Sequence, residues 1–233
     1  MTTLKLISSM APRECLAAAI DAYEKSQPVQ VEAQAAGGVD VVRRIEAGDA
    51  FDLVVLADDA IDRLSAGRHL AREGRQSLMT SGIAVGIRSG SRDLDISCES
   101  AVKAAVLATH SLSYSTGPSG RYLESLFARW GILDEIRSRI VVPPPGTPVA
   151  QVIASGGAAL GFQQLSEMLN VPGIQVVGPL PREIQHLTTF TGAATAKSTH
   201  VAAARVFLGF VASAATEAIR ARFGMSAASE VIQ

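Results

Sequence analysis

The sequence predicts an α/β protein made of two lobes, each with a mostly parallel sheet, joined by two hinge strands. Three observations lead there. Strand-like and helix-like patterns alternate from end to end, as they do where parallel strands are joined through helices. The run 51–56 (FDLVVL) is apolar without a break, which suits a strand covered on both faces. The alternation is interrupted near two strands, Leu78–Ile87 and Ile184–Ala193, not at one linker. Two crossings divide the chain into 1–81 with 190–233 as one lobe and 82–189 as the other.

Leu4–Ser8 opens the first lobe as a buried strand, and Pro12 suits the start of a helix whose inward stripe is Leu16, Ile20 and Tyr23. Val29, Val31 and Ala33 alternate as a second strand running into Gly37-Gly38, after which Val41, Val42 and Ile45 face inward from a helix stopped by Gly48-Asp49. With Phe51–Leu56 this makes βαβαβ, followed by a short helix over Asp58–Leu64 and a charged turn, Gly67–Gly74. Thr80, Ser81 and Gly82 are polar or small in mid-strand, odd for a core but suited to a strand that crosses between lobes. After a polar loop, Ser89–Asp95, Ser97 is placed to cap a helix carrying Val102 and Val106.

Ser111–Trp130 then reads as a strand, a turn (Ser115-Thr116-Gly117-Pro118-Ser119-Gly120) and a helix with Leu123, Leu126, Phe127 and Trp130 on one stripe. Ile140–Val142 is a strand closed by Pro143-Pro144-Pro145-Gly146, and Thr147-Pro148 starts a helix ended by Gly156-Gly157. Ala158–Phe162 is a buried strand ending in Gln163-Gln164. Val176-Val177 and Ile184–Ala193 are the last strands, and Ser198–Phe210 and Ser213–Phe223 the closing helices, with the stripe Val206–Val211 in the core and a tail from Ser226.

The totals exclude several function classes. Lys+Arg 21 against Asp+Glu 22 leaves a net charge of −1, so no general basic field draws nucleic acid or an anionic membrane. Aromatics at 5% are too few for a base-stacking surface. Neither a signal peptide nor a membrane-spanning run is legible, so as it stands the chain reads as cytoplasmic, and as periplasmic if an export signal precedes it. Two cysteines, Cys15 and Cys98, make no disulfide scaffold, and no metal-ligand spacing occurs. His69, His110, His186 and His200 are scattered singly and read as structural or exposed. No metal, cofactor, nucleic acid or membrane insertion is expected.

The site candidates lie where strands hand over to helices. In parallel sheets the carboxyl ends of strands are where ligands bind, which singles out Ser8, Ser9, Gly37 and Gly38 in the first lobe. In the second, Ser115, Thr116, Ser119 and Gly120 ring a helix start whose unpaired N–H groups and positive dipole end favour an anion. Gly120 in particular is expected to let a ligand approach the backbone. Arg13, Glu14 and Glu167 read as surface charges.

The segments ISSMAPRE, AAGGVDVVRRIEAGDAFDLVVLADDAIDRL, SYSTGPSGRYLESLFARWGI and IASGGAALGFQQLSEM, in this order, resemble the molybdate-type members of the type 2 periplasmic binding proteins. These are solute-binding components of ABC transporters, and the resemblance covers the chain from Leu4 to about Met225. It implies two lobes hinged by two strands, closing on an anion held by serine hydroxyls, helix-start amides and a tyrosine. The first serine position falls at Ser8-Ser9; the second is Gly37; the Pro-Ala-Gly turn is Pro118-Ser119-Gly120; the tyrosine is replaced by Gln164, and the preceding Asp by Ala159. Neutral donors remain, with Ser81, Gln163 and Gln164 joining the hydroxyls already named. The function implied is binding of a small oxyanion or carboxylate, with an ABC permease as partner if the protein is exported. Enzymes similar to this group, aconitate isomerase among them, imply an alternative: a metal-independent isomerase of a small unsaturated carboxylate, with Tyr114 or Glu14 as base. A cytoplasmic ligand sensor is a third.

Overall fold

The computed structural model describes residues 2–144 and 147–228. Pro145-Gly146 of the proline turn and the tail from 229 lie outside them. From the N-terminus the elements are β1 (Thr2–Ser9), α1 (Arg13–Glu24), β2 (Val29–Ala36), α2 (Gly38–Ala47), β3 (Leu53–Ala57), α3 (Asp58–Ala66) and β4 (Gln76–Arg88). Next come α4 (Glu99–Ala108), β5 (Leu112–Tyr114), α5 (Pro118–Arg129), α6 (Leu133–Ile136), α7 (Val149–Ala154), β6 (Leu160–Gln164), α8 (Leu165–Met168) and β7 (Ile174–Pro179). The chain closes with β8 (Leu187–Ala194), α9 (Val201–Ala212), α10 (Glu217–Arg222) and β9 (Ser226–Ala227). Two compact units result, one made of residues up to Ser81 and from Thr188 onward, the other of Gly82–Leu187.

In the first unit β1 pairs in parallel with β2 and with β3, and β8 returns antiparallel beside β3. Alternation along the strands explains why both faces are apolar. Leu4, Leu6, Leu53 and Val55 pack on Cys15 and Leu16 of α1 and on Phe207, Leu208 and Val211 of α9. Ile7, Val54 and Leu56 face the other way, onto Val41, Val42 and Ile45 of α2 and Ile61 and Leu64 of α3. The unbroken run in β3 is therefore a strand sandwiched between helices.

In the second unit β5 and β6 are parallel, while the outgoing part of β4 pairs antiparallel with both β6 and β7. Ile83, Val85, Leu112, Leu160 and Phe162 form a core with Val102 and Val106 of α4 and Leu123, Leu126 and Phe127 of α5. Ala84 on the opposite face meets Val149, Ala150 and Ile153 of α7.

The parallel ladders are those the alternation implies, but each sheet is mixed. The strands that pass between units, β4 and β8, run against their neighbours. Several local expectations also shift. The residue before α4 is Cys98, not Ser97, and it makes no side-chain cap. Trp130 lies just past α5, half-buried, its indole N–H donating to Glu99 at 2.6 Å. Val206 is 60% exposed, so the stripe of α9 is Phe207, Leu208 and Val211 without it. The second closing helix is a 3-10 turn, Ala214–Thr216, followed by the short α10. Ile140 makes a single bridge to Leu112 rather than a strand.

Candidate functional site

In the first unit, Ser9 is the last residue of β1 and is paired with Ala36, the last of β2. One residue on, Gly37 precedes α2 and Gly38 opens it. A Cβ on Gly38 would stand 4.0 Å from the Cβ of Ser9 and 3.9 Å from Leu56, so the ends of three parallel strands meet at this point. The Ser8 hydroxyl is spent locally, donating to the carbonyl of Ser9 at 3.0 Å. The Ser9 hydroxyl is different: its oxygen is buried and has no hydrogen-bond partner among the described residues. α2 begins with no side-chain cap, so its first amides are unspent as well. A buried hydroxyl costs roughly 1–3 kcal/mol when left unpaired, which marks Ser9 as a donor waiting for an acceptor. Ser81, the last residue of this unit in the outgoing crossing, is buried.

In the second unit, Ser115 and Ser119 share a hydrogen bond of 3.0 Å across the start of α5. Gly117 precedes the helix without a side-chain cap, Pro118 takes its first turn, and no acidic residue lies in that turn. The turn itself requires glycine at 120: a Cβ there would overlap the carbonyl oxygen of Ser115 and stand 2.7 Å from its carbon. Ser115, Thr116 and Gly120 line a pocket of about 370 Å³ together with Tyr114, Arg121, Glu124 and Arg137.

The Tyr114 hydroxyl donates to Glu124 at 3.4 Å. Burial, and secondarily the Glu124 charge, push the phenol up to about 12, so it stays protonated at neutral pH. Arg121, Glu124 and Arg137 were not singled out in the sequence. The helical period does place Arg121 and Glu124 on one face of α5, but nothing in the sequence brings Arg137 beside them.

The glutamine pair separates. The carbonyl of Gln163 accepts the amide of Ala150 at 3.0 Å, so this buried side chain holds the start of α7. Strand alternation turns it to the α7 face, where its carbonyl oxygen serves a structural role. Gln164 is buried at the junction of β6 and α8. Glu14 is bound to Arg13 at 2.6 Å, both about half exposed, which leaves neither in a pocket suited to proton transfer. Among the described residues no cluster of three His, Cys, Asp or Glu side chains is placed to hold a metal ion.

Three comparisons bear on this arrangement. A curated aconitate isomerase from a Pseudomonas species is 35% identical over 221 residues, spanning 91% of this chain and 83% of that protein. The periplasmic molybdate-binding protein of Azotobacter vinelandii superposes with a TM-score of 0.80 at 17% identity, covering 95% of this chain and 98% of that one. The sulfate-binding protein of Mycobacterium tuberculosis superposes with a TM-score of 0.78 at 18% identity, covering 99% and 88%. The family model for bacterial extracellular solute-binding proteins matches residues 4–226, and this chain belongs to that family.

Proposed function

We propose that this protein binds a small anion, oxyanion or carboxylate, as a solute-binding component, with hydroxyls and helix-start amides as its donors. The observation that carries this is the Ser9 hydroxyl, buried and unspent at the uncapped start of α2. Hydrogen bonds to an ionised acceptor contribute about 1.5–3 kcal/mol each, so a few such donors hold an anion without a counter-charge. The Ser115, Thr116 and Ser119 group at the start of α5 supports the same chemistry. The partner this reading implies is an ABC permease, and the compartment is outside the cytoplasmic membrane.

Thermal-shift and calorimetric titrations with molybdate, tungstate, sulfate and a set of di- and tricarboxylates test the reading. Saturable stabilisation by at least one of them is expected. If none binds below about millimolar concentration, a level worth only about 4 kcal/mol, the proposal fails.

One observation favours a second reading, an isomerase of an unsaturated carboxylate: the aconitate isomerase relative is 35% identical, while the oxyanion-binding structures share 17–18%. Following trans-aconitate by ultraviolet absorbance with purified protein decides it. Turnover above blank is expected on this reading, and its absence removes that substrate.

A further inference from the structure

The pocket beside α5 has a composition that a site built from neutral donors does not need. It opens between that helix and the segment 133–142, and its walls carry two kinds of surface. Leu133, Ile140 and Val142 are aliphatic. Tyr114, Arg121, Glu124 and Arg137 are polar or charged. At about 370 Å³ it has room for a small organic acid and falls within the range of ligand pockets.

Charge separates the candidate ligands. Arg137 is held by Asp134 at 2.8 Å, but both partners are largely exposed, so that bond is easily exchanged for another. The Arg137 guanidinium lies within electrostatic reach of Tyr114 and Glu124, and it offers the planar fork that a carboxylate matches. Glu124 works against a tetrahedral oxyanion. Fully ionised sulfate or molybdate offers only acceptors, and would face the carboxylate acceptor to acceptor. One Glu124 oxygen takes the Tyr114 hydroxyl, and the remaining acceptor capacity of the carboxylate suits a ligand with a proton to donate.

We propose that this pocket selects a small carboxylate bearing a hydrogen-bond donor, its carboxylate on Arg137, its hydroxyl or ammonium on Glu124, and its carbon frame along Leu133, Ile140 and Val142. The proposal rests on the anion-binding reading above and narrows its ligand to this class.

Four probes separate the elements. L-malate, L-aspartate and succinate share one carbon skeleton and carry a hydroxyl, an ammonium and neither; sulfate is the oxyanion control. Isothermal titration of the full chain is expected to show malate or aspartate binding at least tenfold tighter than succinate, with sulfate weakest. The stronger of the two names the donor. Arg137→Gln is expected to weaken all three acids tenfold or more. Glu124→Leu is expected to erase the advantage over succinate, with succinate itself binding more tightly once the facing carboxylate is gone. Circular dichroism confirms that each variant is folded.

Equal affinity for succinate, malate and aspartate overturns the donor requirement. Acid binding that neither variant changes overturns the placement, while the anion-binding reading stands. Binding of sulfate without any acid overturns the inference alone, and binding of no anion at all overturns both.

Discussion

The segment entering β8 is pinned to β4 by one side chain, and its removal has a calculable cost. Gln185 accepts the amide of Ile83 at 2.8 Å and returns a bond from its own amide to the Ile83 carbonyl at 3.0 Å. It also accepts from His186 at 2.9 Å and donates to Leu180 at 3.3 Å. Gly82 leaves the room for this: a Cβ there would stand 3.1 Å from the Gln185 carboxamide.

In a Gln185→Met variant the volume is kept and the bonds are lost. The Ile83 carbonyl still has the amide of Leu180 at 2.9 Å, and His186, half-buried, reaches water. The Ile83 amide, on a residue 0% exposed, has no such replacement and pays its full desolvation penalty. That penalty is about 1–3 kcal/mol, and losing the Leu180 contact adds about 0.5–1 kcal/mol. The expected loss is therefore about 1.5–4 kcal/mol, read as a lower urea midpoint at unchanged slope, or a fall of about 3–16 °C in Tm for a chain of this size. Gln185→Ala should lose more, by the packing of the stem. A Met variant within about 0.5 kcal/mol of the parent, the scatter of ordinary surface changes, refutes the reasoning.

Other expectations follow from single contacts. Ser9→Ala removes an unspent donor, so stability should hold within about 0.5 kcal/mol or rise, while affinity for the anion falls about tenfold or more by titration; a stability loss with affinity intact would contradict it. Gly120→Ala places a methyl group into the Ser115 carbonyl and should cost more than about 3 kcal/mol, beyond the usual range for overpacking; a melt near that of the parent would mean the turn yields easily. Burial raises the Asp52 pKa, but the Lys5 amide, the Ser198 hydroxyl and His200 outweigh it, and the net value lies below the ordinary 3.8. Its contribution is thus complete above the ordinary carboxylate range and is lost as pH falls through the lowered native value. Asp52→Asn should cost about 1–2 kcal/mol at neutral pH and flatten the acid limb of the stability profile; an unchanged limb would count against this assignment.

Much of the fold was legible in local pattern. The run at 53–56, the stripe Leu123, Leu126 and Phe127, and the hydroxyl-rich turns at strand ends all follow from periodicity and turn chemistry, which act over a few residues. Those rules made β3 a strand covered on both faces, and placed Ser9 at a strand terminus beside a helix start. They could not show which side chains are spent on the protein itself. The Gln163 carbonyl is taken by the amide of Ala150, the Ser115 carbonyl bars a Cβ at position 120, and the Ser8 hydroxyl is taken by its neighbour, whereas that of Ser9 is left over. Nor could they bring Arg137 to Glu124 and Tyr114, since they come from α5, the strand before it and the turn beyond α6. Residue type and spacing set what each side chain is able to do; only the packing of distant segments decides which of those capacities remain free for a ligand.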